Sequence, residues 1–240
     1  MKTLSIVLPC YNEETNIESA INRIYGYLSN IGYAFEIITV DDGSTDGTAH
    51  LIEEISRKIK EIRMIHYVAN RGKGYAVRIG MLSAIFDKVL FLDCDMAVPI
   101  EELDKFIPYI EKGYDIVVGS KRLAGSELIK KESPLREFLG RGFVSVSNLI
   151  LGTRATDITR GFKLFKRNIA REIFSRQRLE RWGFDAEILF IAQKRGYKIK
   201  EVPVSFSHGR NSKVNVARDI LYSLWELLII RYNDLKGVYS

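Results

Sequence analysis

The 240 residues, 46% of them hydrophobic, suffice for one large domain with a substantial core, and no repeat, low-complexity tract or linker interrupts them. A formal net charge of +6 favours an anionic partner without choosing among nucleic acid, lipid head groups and phosphorylated substrates. Only Cys10 and Cys94 are present, which argues against a disulfide framework and for small buried thiols in a reducing, cytosolic setting.

No zinc-like cluster emerges from these cysteines with His50, His66 and His208. The strand-like LSIVLP follows Met1 almost at once, so no signal peptide is expected. Nowhere is there a run of about 18 apolar residues, so no spanning helix is expected either. The segment Ile220 to Ile230 is short and contains Glu226, which suits a helix lying on a membrane rather than crossing it.

Leu4 to Pro9 reads as the first strand, and Ile17, Ala20, Ile21, Ile24 and Leu28 then recur at helical spacing up to Gly32. Phe35 to Val40 forms a second apolar run, closed by the polar loop Asp41 to Gly47, and Leu51, Ile52, Ile55 and Ile59 mark the following helix. A third strand, Met64 to Val68, precedes NRGKGYAVRIGMLSAIF, a glycine-interrupted loop entering another helix. Val89 to Leu92 is a fourth strand, Ile100 to Ile110 a helix and Asp115 to Val118 a fifth strand. This alternation predicts a mostly parallel sheet with helices on both faces.

After Gly119 the rhythm changes to a basic, apolar, mobile segment in which Lys121, Arg122, Lys130, Lys131, Arg136 and Arg141 stand among leucines and phenylalanines. Ser145 to Leu151 continues as a helix, Phe162 to Phe165 reads as a short strand and Phe184 to Arg195 as a buried helix. Tyr197 to Phe206 is a last strand broken at Pro203. Beyond Val214, the spacing of Val216, Ile220, Leu224, Leu227, Leu228 and Tyr232 predicts an amphipathic helix carrying Trp225, set against a membrane surface, the catalytic domain or a twin subunit. The expected organisation is one domain over residues 1–213 followed by that helix over 214–240.

The fourth strand delivers two carboxylates, Asp93 and Asp95, at its carboxyl end, the edge where ligands bind in open α/β sheets. Residues two apart point the same way from an extended chain, roughly 6–7 Å apart, so both acids can face one divalent cation. Mg2+ or Mn2+ prefers such oxygen ligands and combines them with substrate phosphates. The bland reading is a solvated acidic turn. The first strand ends in PCYNEE and the second in VDDGSTDGT, so three strand ends carry polar residues to one edge; Glu13, Asp41 and Asp42 could accept hydrogen bonds from a base or ribose. Neither loop reads G-x-G-x-x-G, which argues against a hydride-transfer cofactor.

PCYNEE, VDDGSTDGT, NRGKGYAVR and LDCDMAVP, in this order, resemble the nucleotide-sugar domain of family 2 inverting glycosyltransferases. GSKRL, DITRGFKLF, ERWGFDAEILF, EVPVSF and NSKV are similar to the polyprenyl-phosphate sugar transferases, most of all the dolichyl-phosphate glucosyltransferases and more distantly the mannosyl enzymes. The resemblance runs from Leu4 to Val214. It implies a GT-A (nucleotide-diphospho-sugar transferase) α/β fold that moves a hexose with inversion to a polyprenyl or dolichyl phosphate. Glucose from UDP-glucose is the expected donor, with mannose from GDP-mannose as the alternative. It further implies that Pro9, Tyr11, Glu13 and Asp41 surround the nucleoside, with Asp42 nearby and Lys73 near the donor. Asp93 and Asp95 would bind the metal and diphosphate, with Cys94 between them, and Ser212 and Lys213 would approach the phosphates. The chain departs from its relatives at Ala97, where many carry Gln, at Cys94 in place of Ala, and at Asn211 where Gly usually precedes the Ser-Lys pair.

A lipid phosphate as acceptor needs no general base, because a phosphate monoester has a second pKa near 6 and is largely ionised at neutral pH. Arginine forks suit phosphate geometry, which makes Arg122, Arg136 and Arg160 candidates to steer it, with Lys121 and Lys213 as point charges. Asp185, in the apolar stretch ERWGFDAE, is either a base for a hydroxyl acceptor or the partner of a buried cation, and Asp157 reads similarly. Trp182 lines the sugar site or belongs to the core. The competing functions are transfer to a saccharide or protein hydroxyl, nucleotidyl transfer, and a basic nucleic-acid-binding module. The last lacks a helix-turn-helix or stacking-ribbon signature, so no nucleic-acid partner is expected. The expected workplace is the cytoplasmic face of a membrane, held peripherally, with homo-oligomerisation left open.

Overall fold

A computed structural model describes residues 2–130, 134–207 and 216–240, apart from the side chains of 130, 135, 136 and 216–221. The largely apolar segment after Lys2, interrupted by Ser5, forms β1 (Thr3–Cys10), followed by α1 (Ile17–Asn30), β2 (Ala34–Asp42), α2 (Thr48–Lys58), β3 (Ile62–Tyr67) and α3 (Lys73–Ser83). Then come β4 (Lys88–Leu92), a 3-10 turn (Ile100–Glu102) running into α4 (Leu103–Glu111), β5 (Ile116–Ser120), β6 (Leu128–Lys130) and α5 (Pro134–Leu151). The chain continues through β7 (Phe162–Lys166), α6 (Arg167–Arg176), α7 (Phe184–Lys194), β8 (Ile199–Pro203), β9 (Phe206–Ser207) and α8 (Val216–Leu235).

Seven strands form one sheet in the order β3-β2-β1-β4-β7-β5-β8, and β6 pairs with β9 in a separate two-stranded ribbon. All neighbours in the large sheet are parallel except β7, which runs antiparallel to both β4 and β5. The chain builds outward from β1 through β2 to β3, then returns to place β4 on the other side of β1. That reversal leaves a crevice beyond the carboxyl ends of β1 and β4, the position at which open α/β sheets bind ligands.

Strand alternation explains why the sheet is covered on both faces. Ile6 and Leu8 of β1 and Leu90 and Leu92 of β4 pack with Ile17, Ile21 and Ile24 of α1, Ile52 of α2 and Phe106 of α4. Val7, Val89 and Phe91 point the opposite way, onto Val77 and Met81 of α3, Phe174 of α6, Phe184 of α7 and Leu227 and Ile230 of α8. Burying one such large apolar side chain contributes about 1.5–3 kcal/mol, and Phe91 and Phe184 meet with ring centroids 6.0 Å apart. On this face α3 lies unusually close to the sheet: a Cβ on Gly80 would fall 2.3 Å from Val7 Cγ1.

Several boundaries differ from those the pattern predicts. Val68 lies outside β3 and is exposed, and β5 covers 116–120 rather than 115–118. The helix expected from Ser145 begins at Pro134, a residue whose fixed φ and missing N–H suit a first helical position. The last predicted strand divides at Pro203 into β8 of the main sheet and β9 of the ribbon. α8 occupies the predicted C-terminal helix, and among its described side chains Trp225, Leu228 and Tyr232 are exposed alongside Arg231.

Candidate active site

β1 and β4 bring the first and fourth strand ends into contact. The free thiols of Cys10 and Cys94 lie 3.0 Å apart, and Cys94 Sγ also donates to the Pro9 carbonyl at 3.3 Å. The Cys10 contact and burial keep the Cys94 thiol well above its ordinary value, so it is a neutral packing group. Tyr11 leaves this junction with 39% of its surface exposed, and Glu13 begins the turn into α1, its N–H donating to Thr48 Oγ1 at 2.8 Å.

The two acids at the end of β2 have separate jobs. Asp41 is fully buried, 2.7 Å from His66 Nδ1 through Oδ2, and accepts from the Ser44 hydroxyl through Oδ1. His66, not singled out by the sequence reading, faces outward beside it. Asp42 turns to the next loop and accepts from Asn70 Nδ2 at 2.9 Å and from the N–H groups of Arg71 and Gly72 at 2.8 Å each. It thereby fixes the entry to α3 and places Lys73 over the crevice.

Beyond β4 the chain turns tightly: Asp93 carbonyl accepts from Met96 N, Met96 has φ of 50°, and Asp95 accepts from the Ala97 N–H at 3.0 Å. Lys73 Nζ lies 2.5 Å from Asp93 Oδ1. Burial works against the Lys73 charge, but Asp93, Asp185 and Asp95 outweigh it and hold the ammonium above its ordinary value. Burial, then the adjacent Asp93 charge, pushes Asp95 up. These two acids therefore have a stake in a cation close by, and an ammonium already occupies such a position against Asp93. Among the described residues no group of three or more His, Cys, Asp or Glu side chains could hold a metal ion. Two carboxylates with the remaining positions left to phosphate oxygens and water are the donor set that suits Mg2+ or Mn2+, so the residues fit that group.

A backbone turn from β7 supports Asp93 from below. Asp93 N–H donates to the Gly161 carbonyl at 3.2 Å, and a Cβ on Gly161 would fall 2.2 Å from Asp93 Oδ2. Only glycine leaves room for the carboxylate there. Next to this turn a basic cluster assembles around Phe206: Lys121 Nζ lies 5.0 Å and the Arg160 guanidinium 4.5 Å from its ring centroid. Buried Asp157 orders the cluster, meeting Arg160 Nε at 3.3 Å and the Lys121 N–H at 3.4 Å. Arg122 is held by the Thr156 carbonyl at 3.1 Å. Ser212 and Lys213 lie outside the described residues, as does the side chain of Arg136.

Asp185 sits in the first turn of α7, buried beneath this floor, with Lys163 Nζ 2.5 Å from its Oδ1. Burial pushes Asp185 up and Lys163 down, each opposed by the other's charge. Removing one partner of such a pair costs about 3–5 kcal/mol, because the other charge stays buried. Lys163 was missed in the sequence, although a lysine between Phe162 and Leu164 in a short apolar strand is the same signal that marked Asp185. Trp182 is half-exposed, with Lys73 Nζ 5.9 Å from its ring centroid, at the rim rather than in the core.

The arrangement thus joins an acidic, cation-ready strand end to a basic cluster through one glycine turn, with Tyr11 exposed at the end of β1 and the Asp41–His66 pair at the end of the neighbouring β2. Comparisons with known proteins agree with it. The family model described as glycosyl transferase family 2 matches residues 5–174. A dolichyl-phosphate beta-glucosyltransferase of Dictyostelium discoideum is 34% identical over 249 residues, 99% of this chain and 76% of that protein. One of Trichomonas vaginalis is 36% identical over 225 residues, 89% of this chain, and the match spans 66% of its own length. The crystal structure of glucosyl-3-phosphoglycerate synthase from Mycobacterium tuberculosis in complex with Mn2+, UDP-glucose and glycerol 3-phosphate shares the fold, with a TM-score of 0.66 at 20% identity over 94% of this chain and 80% of that one. Fold, ordered motifs and family model together make this chain a member of glycosyl transferase family 2.

Proposed function

We propose that this enzyme transfers glucose from UDP-glucose to a polyprenyl phosphate of the dolichyl type, with inversion at the sugar and with Mg2+ or Mn2+ held by Asp93 and Asp95. The observation that carries this reading is the pairing of Asp185 with Lys163 beside the cluster of Lys121, Arg122 and Arg160. The carboxylate best suited by sequence to deprotonate a hydroxyl is engaged by a buried ammonium, while basic groups that suit a phosphate stand next to the donor side. A phosphate acceptor is already ionised, with a second pKa near 6, and needs placement rather than a base. The relatives named dolichyl-phosphate beta-glucosyltransferase support the same sugar and acceptor, and the solved relative with Mn2+ and UDP-glucose shows this fold holding both.

In this reading Tyr11 offers an aromatic face to the nucleoside and the Asp41–His66 pair a polar edge, with Pro9 and Glu13 completing that wall. Lys73 lends its ammonium to the diphosphate. Asp93 and Asp95 would hold the divalent cation, which when bound would supply neutralising charge for the leaving diphosphate. Lys121, Arg122 and Arg160 bring the acceptor phosphate into line with the anomeric carbon, and the resemblance to the polyprenyl-phosphate sugar transferases assigns Ser212 and Lys213 to the phosphates as well. The apolar side of α8, with Trp225 60% exposed, and α5 packed against it, with Phe138 72% and Leu149 84% exposed, rest on the lipid surface that carries the acceptor. Among the described residues no helix is long and apolar enough to cross a membrane; the reading places these two helices on the surface of the lipid, at the cytoplasmic face.

The test incubates purified protein and Mn2+ with UDP-glucose or GDP-mannose, each with a short polyprenyl phosphate or a free saccharide. Lipid-linked glucose formed from UDP-glucose is the expected product. Absence of lipid-linked sugar from either donor, or transfer to the saccharide alone, contradicts the reading.

A further inference from the structure

We propose that Lys163 is a positioning residue for the metal-binding carboxylates, setting Asp93 from two sides at once; the inference rests on the reading of Asp93 and Asp95 as the cation site. Lys163 lies in the middle of β7, its Cα paired with that of Phe91, two residues before Asp93 on the neighbouring strand. Its side chain is fully buried, 5.2 Å from the Phe91 ring centroid. The ammonium has two directed bonds, to Asp185 Oδ1 at 2.5 Å and to the Arg160 carbonyl at 2.6 Å.

The first route to Asp93 runs through backbone. Arg160 precedes Gly161, whose carbonyl accepts the Asp93 N–H and whose Cα surface forms the floor under the Asp93 carboxylate. Anchoring the Arg160 carbonyl holds that floor in place. The second route runs through charge. Asp185, oriented by Lys163, is an anionic neighbour of Lys73, whose ammonium touches Asp93 from above. Lys163 thus governs both the surface on which Asp93 rests and the counter-charge that faces it.

Stability alone does not account for this lysine. Replacing a buried ion pair by apolar side chains of similar volume is often neutral or stabilising. A Met–Leu pair would fill the space between β7 and α7, but it would supply no donor to the Arg160 carbonyl and no anion beside Lys73. Groups that orient metal ligands without touching the metal commonly change its affinity by about 10–100-fold.

The experiment compares wild-type protein with the double variant Lys163→Met/Asp185→Leu, which removes both charges so that neither is left buried alone. Mn2+ binding is followed by electron paramagnetic resonance in the presence of UDP, alongside melting temperature and kcat. The expected result is a folded protein melting close to wild type whose Mn2+ dissociation constant is raised by about tenfold or more. A folded double variant that binds Mn2+ as wild type does overturns the proposal. Asp185→Asn, isosteric and able to keep the Lys163 hydrogen bond, provides a second reading should the double variant not fold. It cuts only the charge route, so it is expected to weaken Mn2+ binding by a smaller factor, and unchanged binding contradicts the second route. Failure of the wild-type protein itself to bind Mn2+ with UDP overturns the cation-site reading and this inference with it, whereas failure of glucose transfer with Mn2+ binding intact bears on the acceptor alone.

Discussion

At the scale of single residues the site is set by what surrounds its carboxylates. Gly161→Ala would drive a methyl group to within 2.2 Å of Asp93 Oδ2. The chain is expected to keep its fold at an overpacking cost of about 1–3 kcal/mol, while Asp93 is displaced and transfer falls by about a hundredfold, a placement error of the kind that costs two orders of magnitude. Circular dichroism and steady-state kinetics check the two halves of that expectation. Asp42→Ala tests a different role. It removes the acceptor of three N–H groups from Asn70, Arg71 and Gly72, each costing about 1–3 kcal/mol where it stays buried and unpaired. A lowered melting temperature together with weaker UDP binding is the expected outcome. Asp93 and Asp95 were legible in the sequence because two acids at even spacing after an apolar run state their own geometry. Gly161 was not, since a close approach between segments distant in the chain is a property of packing. The division of labour between Asp41 and Asp42 was hidden for the same reason: adjacent residues on a strand point to opposite sides, and only the neighbouring β3 and the 70–72 loop decide which acid serves which.

At the scale of elements, α8 is fastened to the loop before α7 by one buried carboxylate. Glu226 accepts from the Gly183 N–H at 2.7 Å, and Gly183 caps the helix that carries Asp185. Burial, with Glu187 adding to it against Arg181 and the Gly183 bond, pushes Glu226 up to about 7. A carboxyl raised in the folded state contributes stability that is complete below its unfolded value near 4.5 and is lost as pH rises through about 7. Thermal denaturation between pH 5 and pH 8 should therefore show Glu226→Gln, which keeps an acceptor without a charge, losing less stability with rising pH than wild type does. Equal slopes for the two proteins would contradict the assignment. The alternation of strands and helices up to β5 was readable because parallel units repeat one hydrophobic rhythm. The direction of β7 was not, because a strand's side-chain pattern is the same whichever way it runs, and its insertion between β4 and β5 is what delivers Lys163 and Gly161 to Asp93.

At the scale of the whole molecule, an acidic strand end and a basic cluster meet at one crevice, and eight of the fifteen exposed large hydrophobic side chains among the described residues lie on α5 and α8. The net charge of +6 favoured an anionic partner in the sequence, but not which one; the structure gathers two of those cations, Lys121 and Arg160, over one ring, Phe206, and the proposed acceptor phosphate is the anion that would use them. If α5 and α8 rest on lipid, wild-type protein should float with vesicles containing anionic lipid. The triple variant Phe138→Ser/Leu149→Ser/Trp225→Ser should lose at least about tenfold in vesicle affinity, since each buried apolar side chain contributes about 1.5–3 kcal/mol. Its turnover of a short, water-soluble polyprenyl phosphate should be unchanged, and flotation equal to wild type would contradict the membrane assignment. The most direct test of the central claim is the anomeric configuration of the product formed from UDP-glucose, Mn2+ and polyprenyl phosphate, read by nuclear magnetic resonance together with the nucleotide released. A β-linked glucosyl phosphate and one equivalent of UDP are expected; an α-linked product, or one that retains the nucleotide, would rule out inverting transfer to the lipid phosphate.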